Sequence, residues 1–321
     1  MEDVNYIECF SEDHDDTDEL IFGLRDEIQK RLNSKYFYDE NGSILFEQIT
    51  KLDEYYPTKK ELEILDIQRQ EIGRLLPSNS AILEFGSGSN WKIKKLLKII
   101  DSPEEIISID ISKEFLLKNA NELAHTFPEI KVTAICADLN QKIDIKEIVG
   151  MKIPKIGFFP GSTIGNFLPR DAEKLLKRFN DILGNNNFLV IGVDLKKDIK
   201  ILEKAYNDSE GITAEFNKNI LNRINIKFGS KFKKKNFDHR AFFNTKENRI
   251  EMHLVSKKHH CVDILDNKVC LKPGESIHTE NSYKYTISSF KDLCENVGFE
   301  FQKVFTDRQS FFGVFILKTR D

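Results

Sequence analysis

The residues best placed to do chemistry are a glycine turn and the carboxylates that follow it. In AILEFGSGS, Ala81 to Ser89, a short apolar run reaches Glu84 and Phe85 and gives way to Gly86-Ser87-Gly88. A second apolar run, Ile106 to Ile111, carries Asp110, 24 residues beyond Gly86. A third, Lys131 to Ala137, ends on Asp138-Leu139. Glycine in such a turn lets a ligand approach the backbone. A carboxylate after the second strand accepts both hydroxyls of a ribose. An acid and an apolar residue after the third suit the edge and face of an adenine. The third glycine of the dinucleotide fingerprint is missing, since Asn90 and Trp91 stand in its place. The pattern argues against a dinucleotide, as does the acid Glu84 before the turn. It points to S-adenosylmethionine, with S-adenosylhomocysteine as the spent form.

A second candidate cluster lies in PGSTIGNF. Gly161, Ser162, Thr163, Gly165 and Asn166 crowd the point where a fourth strand, Ile156 to Phe159, leaves the sheet. Ligands of open α/β sheets bind at the carboxyl ends of strands. Gly161 and Asn166 are therefore expected at the substrate. An asparagine amide both donates and accepts, which suits a zwitterionic amino acid. Between Tyr36 and Tyr56 the chain is dense in aromatics, and tyrosines beside turns present a hydroxyl while their rings pack.

These groups need a frame. From Ala81 to Leu195 strands alternate with helices, which implies a mostly parallel sheet covered by helices. A fifth strand, Phe188 to Val193, ends at Asp194. Two final strands, Glu300 to Thr306 and Phe311 to Leu317, follow a helix from Ser288 to Val297 and close the sheet as a late hairpin. Helices are expected from Asp18 to Asn33, from Lys59 to Leu75, and with a break near Tyr206 and Gly211 from Asp198 to Asn225. Asn41-Gly42 reads as a turn. His239 to Asn244, Arg249 to Ser256 and His260 to Leu265 alternate as in an antiparallel meander, while Lys272 to Tyr285 reads as polar and turn-rich. The expected fold class is α/β: a Rossmann-like methyltransferase sheet with a second, smaller α+β domain. Residues 60–196 plus 283–321 form the first; residues 1–59 plus 197–282 form the second, substrate-binding one. The acidic start, residues 1–19, is expected to be loose.

The bulk numbers exclude several classes. The net charge of −4 gives no reason to expect nucleic acid or an anionic membrane as partner. No apolar run approaches the length of a membrane span, and no secretory signal is visible. Five scattered cysteines without a CxxC pair suit a reducing compartment, so a cytoplasmic protein without structural zinc is expected. His259 and His260 would point to opposite faces of a strand. His14, His125, His239, His253 and His278 have no metal spacing, so no metal is expected. The run KFGSKFKKKNF reads as a solvated loop, with a docking patch for RNA or an acidic partner as the alternative.

The chain resembles the histidine-specific methyltransferases of ergothioneine biosynthesis, the L-histidine Nα-methyltransferases. The resemblance covers nearly the whole chain. It rests on YFYDENGSILFEQITKLDEYYPT, LEFGSGS, PGSTIGNF, AYNDSEGITAEFN, RIEMHL and PGESIHTENSYKY, six stretches in order. It implies transfer of three methyl groups to the α-amine of L-histidine, giving hercynine. By the same resemblance, Gly86, Lys92, Asp110, Asp138 and Leu139 meet the cofactor. Lys92 is the one of these that the residues alone would leave as a solvated helix position. Tyr55, Asn166 and Tyr206 are expected at the polar end of the amino acid. Met252, Glu280 and Ser282, with Asn281 between the last two, are expected around its side chain. Tyr38 and Phe46 are expected to line the reacting centre, with Tyr38 and Asn166 as the catalytic pair. The family leads to a monomer acting on a free small molecule. A betaine-forming enzyme for another aromatic amino acid, and a methyltransferase for RNA or protein, are the competing readings.

Overall fold

A computed structural model describes residues 4–9, 16–139 and 153–320. The chain divides into two compact units. The larger takes Met1–Ser11, Pro57–Lys196 and Lys284–Asp321, and the smaller takes Glu12–Tyr56 and Lys197–Tyr283. Glu12 to Asp15, including His14, fall outside the described residues.

In the larger unit, apolar runs make an eight-stranded sheet. Its order is Val4–Glu8, Lys131–Cys136, Glu105–Asp110, Ala81–Phe85, Lys155–Phe159, Phe188–Asp194, Phe312–Thr319 and Phe299–Thr306. The first six run parallel, and the last two are antiparallel. Parallel strands need both faces covered, and both are. Ile82, Ile106, Val132, Phe158 and Ile316 face a layer built with Ile64, Ile93, Leu96 and Leu123. Leu83, Phe85, Ile107, Phe159 and Phe315 face Leu176, Phe179 and Phe290. Phe85 stacks on Phe179 with ring centroids 3.9 Å apart.

The smaller unit is built on a sheet in the order Lys30–Arg31, Ser276–Tyr283, Arg249–Ser256, Phe237–Asn244. Its long helix, Ile212–Phe228, begins where both oxygens of Asp208 accept backbone N–H groups, from Ile212 and Thr213, each at 2.8 Å.

Several expectations are corrected. Within the expected loose start, Val4–Glu8 is a strand: it pairs in parallel with Lys131–Cys136 and belongs to the larger unit's sheet. The first helix is shorter, Asp16–Arg25, because Asp26 Oδ1 takes the N–H groups of Ile28 and Gln29 and turns the chain. Ile28, within the expected helix span, is 96% exposed. Asn41-Gly42 is not a turn but the first turn of the helix Glu40–Ile49, capped by Asp39, whose Oδ1 accepts from Gly42 N–H at 2.7 Å. The glycine answers close approach: a Cβ there would lie 1.7 Å from the Phe37 carbonyl oxygen. The segment from Lys59 is two helices, Tyr56–Ile67 and Arg69–Leu75. Ser276–Tyr283, expected as turns, is a strand with neighbours on both sides. Cys261 and Cys270 are not scattered; they are bonded across the hairpin of His260–Ile264 and Asn267–Leu271.

Candidate active site

At the cofactor end, three neighbouring parallel strands deliver the expected groups at their carboxyl ends. Gly86 follows Ala81–Phe85 with φ +78°, a left-handed conformation that favours glycine. The N–H groups of Gly86 and Ser87 donate to Ile109 O at 2.8 and 3.1 Å, which ties the turn to the next strand. Asp110 ends that strand, and its Oδ1 accepts from Ser112 N–H at 2.8 Å. Burial pushes the Asp110 carboxyl up to about 7. Asp138 and Leu139 lie just past Lys131–Cys136, and Leu139 O accepts from Arg178 Nη1 at 2.8 Å. Strands lie about 4.8 Å apart, so the three strand ends stand side by side within the span of one nucleoside. Nothing lies within 4 Å of a Cβ built on Gly88, which leaves the turn open to a ligand. The residues therefore fit S-adenosylmethionine. Glu84 has a different role. It is buried and takes a hydrogen bond from Ser108 Oγ at 3.2 Å, and burial pushes its carboxyl up to about 8.

Lys92 is not a solvated helix residue. Its Nζ is 2.6 Å from Glu61 Oε2, and the Glu61 side chain is 1% exposed. Glu61 also accepts from Gly161 N–H, at 2.9 and 3.1 Å to its two oxygens. The Gly161 amide is thus already engaged. Gly161 has φ +81°, and a Cβ on it would stand 3.0 Å from Lys92 Nζ. Gly192 makes room for the carboxylate, since a Cβ there would lie 2.0 Å from Glu61 Oε1. Glu61 was missed in the sequence. Its signal is a charge on the buried stripe of its helix, in step with Ile64 and Leu65. Asn166 closes the short 3-10 turn Thr163–Asn166, entered through Ser162 at φ +59°. Ser162 Oγ accepts from Asp194 N–H at 2.9 Å and anchors that loop to the strand Phe188–Asp194.

The smaller unit brings together most of the residues expected around the amino acid. Tyr38 and Phe46 meet edge to face at 6.1 Å, Phe46 and Tyr55 at 6.2 Å, and Tyr55 and Tyr206 at 6.2 Å. Phe216 of the long helix touches both Tyr38 and Phe46. Tyr206 Oη donates to Ser282 Oγ at 2.8 Å. Glu280 is registered against Met252 on the adjacent strand, and both are buried. Glu280 and Ser282 share one face of their strand. Asn281 does not: strand residues alternate, and it is registered with Glu251 on the opposite face.

That opposite face corrects the reading of the histidines. Glu251, His253 and His278 converge, with one potential ligand atom each within 4.8 Å of the others. The sequence separates them, but strand pairing sets His253 against His278. Their rings stack 4.7 Å apart at 9°. Parallel imidazoles have lone pairs in separate planes, so they do not converge on one ion. The groups are also engaged. His253 Nε2 lies 3.0 Å from Glu251 Oε2, and Arg249 Nη2 lies 2.7 Å from Oε1. Burial and the His253 ring hold His278 down to about 4. Burial raises Glu251, but hydrogen bonds from His253, Asn244 and Arg249 outweigh it and hold it to about 2. Among the lysines of the 231–235 run, Lys231, Lys233 and Lys235 are exposed while Phe232 is buried.

A parallel sheet with a glycine turn and acids at successive strand ends, finished by an antiparallel hairpin, defines an S-adenosylmethionine-dependent methyltransferase. The family described as histidine-specific methyltransferase, SAM-dependent, matches residues 16–319, and the chain belongs to it. A histidine N-alpha-methyltransferase of Mycolicibacterium smegmatis is 34% identical over 89% of this chain and 89% of that one. A protein of the same name from Mycobacterium tuberculosis is 32% identical, again over 89% of each. An ergothioneine biosynthesis protein 1 of Neurospora crassa is 35% identical over 61% of this chain and 23% of its own length.

Proposed function

We propose that this protein transfers three methyl groups from S-adenosylmethionine to the α-nitrogen of L-histidine, giving hercynine for ergothioneine biosynthesis. The observation that carries the reading is the grouping in the smaller unit: Tyr206 hydrogen-bonded to Ser282, the Tyr55 ring edge to face with the Tyr206 ring, and Glu280 set against Met252 on the same sheet. The names of the relatives support the α-nitrogen and the pathway. In this reading the smaller unit is the substrate-binding one. Gly86, Lys92, Asp110, Asp138 and Leu139 hold the cofactor. Tyr55 and Tyr206 hold the polar end of histidine. Met252, Glu280 and Ser282 enclose the imidazole. The protein acts as a monomer on a free amino acid, without nucleic acid or membrane. Among the described residues, no helix is long and apolar enough to cross a membrane.

When bound, S-adenosylmethionine supplies a methyl group on a sulfonium. That methyl would pass by in-line displacement, the N–CH3 bond forming as the S–CH3 bond broke, with the electron pair left on sulfur. The attacking nitrogen must be neutral each time, so it sheds a proton to solvent before each transfer. Tyr38 orients its lone pair, and alignment of this kind lowers a barrier by roughly 7–11 kcal/mol. The faces of Tyr38 and Phe46 attract the growing ammonium by roughly 0.5–2 kcal/mol each. That attraction persists after the first and second methyl groups, which lets the reaction continue to three. Glu280 accepts an imidazole N–H, and Ser282 meets the other ring nitrogen. An apolar side chain leaves Glu280 buried without that partner, at a cost of a few kcal/mol.

The test is the position of the methyl groups. With methyl-labelled S-adenosylmethionine and histidine, NMR should show three equivalent methyl groups on the α-nitrogen. Methylation of a ring nitrogen would contradict the proposal.

A further inference from the structure

We propose that Asn217, His239 and Thr279 are positioning residues that set where Tyr206, Glu280 and Ser282 present their polar groups to the amino acid. The proposal rests on the substrate-site reading above and adds the network that holds it. Asn217 lies on the helix Ile212–Phe228 and is fully buried. A buried amide is costly unless satisfied, and this one is satisfied on both sides. Its Nδ2 donates to His239 Nδ1 at 2.9 Å and to His253 O at 3.1 Å, and its Oδ1 accepts from Thr279 Oγ1 at 2.7 Å. His239 Nε2 lies 2.8 Å from Tyr206 O. A carbonyl only accepts, so Nε2 carries the proton and Nδ1 is left to accept from Asn217. Burial favours this neutral ring and outweighs the Tyr206 carbonyl, which opposes it; the Lys218 charge works with burial, and Asp208 against it.

Thr279 is where the strand slips. The register runs His278 against His253, then Glu280 against Met252, with Thr279 unopposed. Such a bulge re-aims the side chains that follow it. Asn217 clasps it from both sides, through the His253 carbonyl and the Thr279 hydroxyl. Beyond the bulge come Glu280 and then Ser282, which accepts from Tyr206 Oη. The links therefore close a ring: Asn217, His239, the Tyr206 backbone, the Tyr206 hydroxyl, Ser282, the bulge, and back to Asn217. It ties both proposed ends of the substrate site to one helix position. A network that only filled the core would have no reason to meet the site twice.

The experiment measures histidine KM, kcat at saturating histidine and cofactor Kd for Asn217→Asp, His239→Phe, His239→Gln, Thr279→Val and Thr279→Ser, beside Glu280→Ala. Misplacement of orienting groups by a fraction of an ångström costs on the order of tenfold or more. Asn217→Asp, His239→Phe and Thr279→Val should each raise histidine KM by about that factor, with cofactor Kd nearly unchanged. His239→Gln keeps a donor for Tyr206 O, and Thr279→Ser keeps the hydroxyl, so both should recover most of the loss. A folded Thr279→Val with unchanged KM overturns the proposal, as does an equal fall in KM performance, kcat and cofactor binding without rescue. If Glu280→Ala itself leaves histidine KM unchanged, the site reading fails. If Glu280→Ala raises it and the network variants do not, only this inference fails.

Discussion

Asp110 is expected to couple cofactor binding to pH. Ribose hydroxyls are best accepted by a carboxylate, and burial has raised this one to about 7. Affinity for S-adenosylmethionine should be flat above that pH and weaken below it, by up to about tenfold per pH unit. Titration calorimetry across pH 5.5 to 8.5 checks the slope, and Asp110→Asn should bind weakly with the slope gone. Glu280 makes the matching prediction for the amino acid. Glu280→Ala should cut kcat/KM for histidine by roughly 10–100-fold while narrowing its preference over tryptophan and tyrosine, read with the three in competition. The positions of Gly86, Asp110 and Asp138 at strand ends were legible because each stands where an apolar run stops, and strand ends are where open sheets bind ligands. Lys92 and Glu61 were not legible as a pair. The contact joins residues from separate helices, and only the folded sheet brings them to 2.6 Å.

At the scale of elements, the glycine turn, its helix and the PGSTIGNF loop depend on Glu61, which ties Lys92 to the Gly161 amide. Glu61→Gln should weaken S-adenosylmethionine by about tenfold, since it removes one charge of a buried pair. Gly192→Ala should do the same by displacing the carboxylate, although Gly192 lies on a strand and carries no side chain of its own. Equilibrium binding of the two variants, beside their melting temperatures, checks this; wild-type affinity in both would remove Glu61 from the cofactor site. The parallel strands were easy to read because burial on both faces makes them continuous apolar runs. Ser276–Tyr283 was not, because its sequence, SIHTENSY, is polar. A strand whose buried face carries Glu280 and Ser282 cannot also show the apolar alternation that marks strands. Gly42 misled for a related reason: its absent side chain answers the Phe37 carbonyl inside a helix start, not a turn.

For the whole molecule, the acids raised by burial set part of the pH dependence of stability. Glu84 has a folded pKa of about 8 against an ordinary value of 4.5. The folded chain holds that proton where the unfolded chain releases it, so this group's contribution falls as pH rises from about 4.5 to 8. Glu84→Gln should therefore raise the melting temperature at pH 8 and leave it nearly unchanged at pH 4, as calorimetry would read. The alternation of strands and helices after Ala81 and the late hairpin were legible at this scale, because they repeat along the chain. The placement of Val4–Glu8 at the sheet edge was not. An edge strand with one neighbour needs little apolar pattern, and its partner lies more than 120 residues on.

The most direct measurement is a competition. Purified protein is incubated with S-adenosylmethionine and all twenty amino acids together, and the products are read by mass spectrometry. The account predicts that histidine alone gains mass, ending at three methyl groups. A methylated aromatic amino acid other than histidine, or a histidine product that stops at one methyl group, would contradict it.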